Sequence, residues 1–281
     1  MCLLNFTREP WEEVNILRKL LFFDVDGTLL DHGRGIYDLS PELKDTLRRL
    51  RAQGDRYFIS TGRSYGALPQ EIKNLQADGL ALSAGAFVTM GGEVVRNIHF
   101  DPSALQFVMD QLLPFDPLIL LECGFELYAN KWAPEEYAEL MEVFKIDLAN
   151  IQVFQDYHDL KVNKLSVTLK RAEDIQCMAD FGDMGITVLP QPAPLSYDIT
   201  LTGATKQDGL KAIVDHLDQG LAYRTYAFGD SHNDLEMVRY ADFGIAMGNA
   251  CDELKSAADL VAGDMADNGI YRAIHQMGLL D

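Results

Sequence analysis

Leu20-Leu21-Phe22-Phe23-Asp24-Val25-Asp26-Gly27-Thr28 carries the pattern that decides the fold. Four apolar residues run without polar alternation, as in a strand covered on both faces, and two carboxylates follow at once. Residues i and i+2 of an extended segment project the same way, so Asp24 and Asp26 can face one crevice. Gly27 permits a sharp turn there. In open α/β sheets, ligands bind outside the carboxyl ends of the strands. The stretch therefore predicts an early strand of a parallel sheet with chemistry at its end.

Outward from this strand the same alternation continues. Ser40-Pro41-Glu42 is a helix start, with Ser40 as N-cap and Pro41 at the first helical position. Leu43, Leu47 and Leu50 mark its buried face, and Gly54 closes it. Strands are predicted over 56–61, 225–229 and 243–247, with helices over 233–240 and 253–258. Apolar strands alternating with helices indicate a doubly wound, Rossmann-like α/β core with a parallel sheet. The middle reads differently. Phe87-Val88-Thr89-Met90-Gly91-Gly92-Glu93-Val94-Val95 looks like a hairpin turning at Gly91-Gly92. Strands are predicted over 118–121, 164–169 and 186–189, with helices over 135–144 and 172–183. Pro190, Pro192 and Pro194 punctuate a return to the core through a strand over 197–201. The expected organisation is a discontinuous core, residues 1–85 and 196–281, interrupted by an α+β domain over 86–195.

The chain has 281 residues, 48% hydrophobic and 24% charged, which excludes a disordered chain and allows a large buried core. A net charge of −19 repels polyanions, so a nucleic-acid partner is not expected. Cys2, Cys123, Cys177 and Cys251 form no CxxC pair, as suits reduced thiols in a cytoplasm. No apolar run is long enough to span a membrane, the N-terminus has no signal-peptide pattern, and the Asn5-Phe6-Thr7 sequon is expected to be idle.

A second acidic group, Gly229-Asp230-Ser231-His232-Asn233-Asp234, also follows a strand and opens a helix. Two carboxylates about 4 Å apart repel by roughly 4 kcal/mol at an effective dielectric near 20. Asp24, Asp26, Asp230 and Asp234 gathered at one sheet edge therefore need a cation or strong pKa shifts. Oxygen-only ligands favour a hard ion, and Mg²⁺ suits a few carboxylates with water and phosphate. Thr61-Gly62-Arg63 ends the second core strand, where a hydroxyl and a backbone N–H could hold phosphate oxygens. Lys206, in Thr202-Gly203-Ala204-Thr205-Lys206, is the candidate to neutralise a phosphate among so many acids. Each feature alone also fits an ordinary turn or a solvated charge.

In this order the motifs resemble those of the haloacid dehalogenase-like hydrolases. Asp24–Thr28 is similar to the first motif, Thr61 to the second, Lys206 to the third and Gly229–Asp234 to the fourth. Phe22–Asp31, Ser60–Arg63, Gly229–Met237, Gly244–Ala250 and Glu253–Asp259 carry family-like wording, of the Cof-like branch with a large α+β (type C2B) cap. The resemblance implies that Asp24 attacks phosphorus and becomes an aspartyl-phosphate. It implies that Asp26 protonates the leaving alcohol and then activates water. Mg²⁺ would be held by Asp24, the backbone carbonyl of Asp26 and Asp230, with Asp234 in support. Thr61, Gly62, Lys206 and Asn233 would hold the phosphoryl oxygens. Substrates would be small phosphorylated metabolites such as sugar phosphates, pyridoxal phosphate or FMN; the oligomeric state, monomer or weak dimer, stays open. The chain departs from the family where Ser83-Ala84-Gly85-Ala86 lacks the usual asparagine, where Gln207 replaces a glycine, and before Val14–Lys19, which resembles a family start.

Three alternatives stay open at this point. Gly62-Arg63-Ser64-Tyr65-Gly66 matches the elbow of serine hydrolases, with Asp259 and His275 as triad partners. A phospho-acceptor receiver also gathers acids around Mg²⁺ on a doubly wound sheet. A phosphomutase would transfer phosphate to a sugar on the same fold. The histidines, including His32 and His232, form no ligand pattern, and Trp132 and Tyr137 read as core or interface.

Overall fold

The computed structural model describes residues 18–135, 148–191, 193–217 and 222–280. The larger sheet starts with β1 (Arg18–Phe23), β2 (Arg56–Ser60), β3 (Gly79–Leu82), β4 (Phe87–Met90) and β5 (Glu93–Asn97). The chain then builds a smaller sheet from β6 (Leu118–Cys123), β7 (Glu126–Ala129), β8 (Ile151–Val153), β9 (Lys164–Thr168), β10 (Ile186–Pro190) and β11 (Ser196–Leu201). It returns to the larger sheet with β12 (Tyr223–Gly229), β13 (Phe243–Ala246) and β14 (Leu260–Val261). The larger sheet has the order β14-β13-β12-β1-β2-β3-β4-β5, parallel from β14 to β3 and antiparallel at β4 and β5.

Successive strand residues face opposite sides, yet Leu20, Leu21, Phe22 and Phe23 are all 0% exposed, so both faces of β1 are covered. Phe22 stacks on Phe58 and Phe23 on Phe228. Ser40 caps the helix Pro41–Ala52 by accepting from the Leu43 N–H, and Leu43, Leu47 and Leu50 are its buried residues, as the spacing predicts. Register then fixes the site: Phe23 pairs with Ile59 on one side and Phe228 on the other. The segments that follow these strands, beginning at Asp24, Thr61 and Asp230, therefore emerge at one sheet edge.

The smaller sheet has the order β10-β11-β9-β6-β7-β8, antiparallel except between β7 and β8. Ile119, Leu121, Leu165, Val167 and Ile199 share a core with Leu105, Val108, Met109 and Leu112 of the helix Pro102–Leu112. The alternate residues of β6, β9 and β11 include Glu122, Lys164, Ser166 and Asp198. That face is polar.

The expected boundaries at 86 and 195 need correction at both ends. The 87–97 hairpin, which turns at Gly91-Gly92 as predicted, continues the larger sheet, because Ser83–Gly85 is only a short 3-10 turn between β3 and β4. The 196–201 strand lies in the smaller sheet, between β9 and β10. Its alternation of Ser196, Asp198 and Thr200 with Tyr197, Ile199 and Leu201 suits a strand with one polar side, not a core strand buried twice. The helix predicted over 172–183 is two 3-10 segments, Ala172–Met178 and Phe181–Met184, the second ended by Gly185 at φ 68°. The helix predicted over 135–144 falls outside the described residues except at its first position, as do Asn5, Val14, Tyr137 and Pro192. No described helix is long and apolar enough to cross a membrane.

Candidate active site

Asp24 ends β1 almost wholly buried, and its backbone N–H donates to the Phe228 carbonyl of the neighbouring strand. Gly27 follows with φ +86°, and a Cβ there would lie 2.3 Å from Asp230 Oδ2. Glycine is thus required twice, for the backbone conformation and for the approach of the second acidic loop. The Thr28 hydroxyl donates to Asp230 Oδ1 at 3.1 Å. One carboxylate oxygen from each of Asp24, Asp230 and Asp234 fits within 4.8 Å of the others. The two acidic clusters, some two hundred residues apart, meet as the strand pattern predicts.

Lys206 begins the helix Lys206–Leu217 and is 2% exposed. Its ammonium lies 2.6 Å from Asp24 Oδ1, 2.6 Å from Asp234 Oδ1 and 3.0 Å from Asn233 Oδ1. Asp234 is fully buried, and its second oxygen accepts from the backbone N–H groups of Asp230 and Ser231 at 3.0 Å each. Both Asp234 oxygens are therefore engaged in holding the loop and Lys206. Asn233 Oδ1 accepts from Lys206 and Ser231, which leaves Nδ2 as its donor.

Asp26 does not join the cluster with its side chain. Its half-exposed carboxylate pairs with Arg63 through both oxygens, at 2.7 Å each. Arg63 is buried, donates to the Ala67 carbonyl, and its backbone N–H donates to Thr61 Oγ1 at 3.2 Å. Thr61 is buried at the end of β2. The Gly62 carbonyl accepts from Lys164 of β9 at 2.7 Å. Arg63 and Lys164 were not among the residues singled out from sequence. Arg63 stood inside the Thr61-Gly62-Arg63 motif, whereas nothing local marks Lys164.

Burial raises the Asp24 pKa well above its ordinary value, the charges of Asp234 and Asp230 add to the rise, and Lys206 only partly offsets them. Burial and the Asp234 charge likewise push Asp230 to about 6, against Lys206 and Thr28. For Asp26, burial works upward, but the hydrogen bonds and charge of Arg63 prevail and lower the pKa. Burial works against the charged form of Lys206, yet Asp234 and Asp24 outweigh it and raise its pKa. With all four carboxylates ionised they face two cations, Lys206 and Arg63, an excess of two negative charges that the raised pKa values of Asp24 and Asp230 reflect. An all-oxygen donor set with that imbalance fits one hard divalent ion.

The serine-hydrolase alternative fails on geometry. Ser64 is fully buried and its hydroxyl has no hydrogen-bond partner among the described residues. Asp259 instead accepts from the Gly244 N–H, and His275 lies against Tyr271. His232 turns to Glu253, and Trp132 is exposed.

The sequence profile of haloacid dehalogenase-like hydrolases matches residues 21–274. YkrA of Bacillus subtilis is 28% identical over 262 residues, covering 93% of this chain and 98% of YkrA. The 5-amino-6-(5-phospho-D-ribitylamino)uracil phosphatase YitU of the same organism is 25% identical over 264 residues, covering 92% of this chain and 96% of YitU. Among solved structures, a haloalkanoate-superfamily phosphatase of Bacteroides thetaiotaomicron is 25% identical with a TM-score of 0.76, covering 95% of this chain and 98% of that one. With the profile spanning nearly the whole chain and the acidic clusters meeting at one sheet edge, the chain belongs to the haloacid dehalogenase-like hydrolase family.

Proposed function

We propose that the protein is a Mg²⁺-dependent phosphatase of the cytoplasm that hydrolyses small phosphomonoesters through an aspartyl-phosphate on Asp24. The observation that carries this is the seat of Asp24, buried at the end of β1 beside Lys206 and the carboxylates of Asp230 and Asp234. YitU, a relative over most of its length, is a phosphatase by name, which supports the same class here.

The carboxylates of Asp24 and Asp230 and the backbone carbonyl of Asp26 would hold Mg²⁺, with Asp234 steadying the loop that carries Asp230. The ion supplies charge neutralisation, so that a carboxylate can approach a phosphate dianion. Lys206, Thr61, the Gly62 backbone and Asn233 bind the phosphoryl oxygens. Asp24 then forms an oxygen–phosphorus bond as the bond to the leaving alcohol breaks, and Asp26 gives that alcohol its proton. In the second step Asp26 takes a proton from water, which attacks the phosphorus and releases Asp24 and inorganic phosphate. The Arg63 pair favours the ionised form of Asp26 needed for this second step, so proton donation in the first requires the pair to loosen. We read the smaller sheet, which reaches the loop after β2 through Lys164, as the cap that closes over the site, excludes water and selects the leaving group.

The test is a phosphate-release screen over sugar phosphates, pyridoxal phosphate and FMN, with Mg²⁺ and with EDTA. Release with Mg²⁺ that EDTA abolishes is expected. Transfer to a sugar in place of release would make the protein a mutase, and a stable phosphoprotein without turnover would overturn the hydrolase.

A further inference from the structure

An ion triad, buried at Lys164 and Glu122, joins the smaller sheet to the loop after β2. Lys164 opens β9, in register with Glu122 of β6 and Thr200 of β11. It is 4% exposed, and its ammonium lies 2.7 Å from the Gly62 carbonyl oxygen, 3.0 Å from Glu122 Oε1 and 3.1 Å from Asp198 Oδ1. An ammonium has three protons, and these are three acceptors. The carboxylates are held in turn: Ser166 Oγ lies within hydrogen-bond distance of both and can donate its one proton to either, Gln191 bonds Asp198, and the Ser83 hydroxyl donates to Glu122 Oε2 at 3.1 Å. Stability is a weak reason for such a group, because apolar replacement of a buried ion cluster is often neutral or stabilising.

The third acceptor is what distinguishes it. The Gly62 carbonyl belongs to the same peptide as the Arg63 N–H, and that N–H donates to Thr61 Oγ1. A cationic donor on the carbonyl polarises the amide, strengthens its N–H as a donor and fixes the peptide plane. A Thr61 hydroxyl that accepts from this N–H keeps its own proton for an anion in front of it.

We infer that Lys164 is a positioning residue for phosphoryl transfer, acting through the Gly62–Arg63 peptide to set the Thr61 hydroxyl. The inference rests on the reading of Thr61 as a phosphate contact in a phosphatase.

A double-mutant cycle tests it: wild type, Thr61→Ala, Lys164→Met and the double variant, assayed with p-nitrophenyl phosphate and Mg²⁺. Lys164→Met is expected to lower kcat about tenfold or more in the wild type, and by less than about twofold once Thr61 is already alanine. Equal losses in the two backgrounds overturn the inference, as does an unchanged kcat in either single variant. Lys164→Met leaves Glu122 and Asp198 without their cation. If it does not fold, the cycle is run in a Glu122→Gln, Asp198→Asn background, with melting curves for every variant and the same two outcomes. A wild type that releases no phosphate from any ester rejects the phosphatase itself. A working wild type that is indifferent to Lys164→Met rejects only the positioning role.

Discussion

Arg63 grips Asp26 with two prongs, Nε on one carboxylate oxygen and Nη2 on the other, each at 2.7 Å. The guanidinium is buried and tied to the Ala67 carbonyl, whereas the Asp26 side chain is half exposed. The buried partner therefore sets the direction of the exposed one. Asp26 stands two residues beyond Asp24 along the chain, but its orientation is imposed by the loop after β2.

Replacing Arg63 by methionine should cost kcat roughly 10–100-fold through misplacement of Asp26. Lysine should not restore it, because a point donor cannot reproduce two parallel hydrogen bonds. Arg63 holds the Asp26 pKa below its ordinary value, so its loss lets that pKa rise. Asp26 must be ionised for hydrolysis of the aspartyl-phosphate, so with that step limiting turnover the acid limb of the kcat profile moves to higher pH in Arg63→Met. A pH–rate profile with an unmoved acid limb rejects the coupling.

Asp24→Asn should abolish phosphate release and leave the fold intact. It should also stabilise the protein in the absence of divalent ions. Burial and neighbouring carboxylates raise the Asp24 pKa, so the folded state disfavours its charge. That penalty is absent at low pH, where Asp24 is protonated in both states, and grows as pH rises above the ordinary carboxylate value. Metal-free Asp24→Asn should therefore melt above wild type at pH 8, with the gap closing near pH 4. Thermal melts at the two pH values decide, and a variant that melts lower at pH 8 contradicts the electrostatic account.

Mg²⁺ should stabilise the wild type in a pH-dependent manner. Asp230, pushed up to about 6, takes up a proton as pH falls through that value, and a proton there competes with a metal ion. Added Mg²⁺ should raise the melting temperature clearly at pH 8 and far less at pH 5. Asp230→Asn should lose most of the effect at pH 8. An equal shift at both pH values would show that the ion binds elsewhere.

How much of this was legible beforehand differs from residue to residue. Asp24, Asp230 and the strands beneath them were readable because buried parallel strands are continuous apolar runs and ligands gather at their carboxyl ends. The helix Pro102–Leu112 was missed although Asp101-Pro102 is a strong start and Ala104, Leu105, Val108, Met109 and Leu112 are its buried residues. The strand Ser196–Leu201 fits either sheet by its length, and only its alternation assigns it to the smaller one. Lys164 is a different case: its partners Gly62, Glu122 and Asp198 come from three separate segments, and no local pattern announces that meeting.

The last prediction concerns Ala84, where the family resemblance leads one to expect an asparagine. Ser83 and Ala84 take φ of 48° and 55°, both left-handed, within the short turn from β3 to β4. The turn is held there by the loop after β2: the Ser83 N–H donates to the Arg63 carbonyl and the Ala84 N–H to the Thr61 carbonyl. An L-residue with a Cβ is strained in this region by about 1–2 kcal/mol, and asparagine is among the few side chains that tolerate it. Ala84 is half-buried, so a larger polar side chain has access to solvent. Ala84→Asn should then gain up to ~1 kcal/mol, a rise of about 2–4 °C in melting temperature for a protein of this size. Ala84→Gly relieves the same strain but frees the unfolded chain, so its gain should be smaller. If both variants melt below wild type, the left-handed turn is not strained, and the alanine is held there by contacts of its own methyl group.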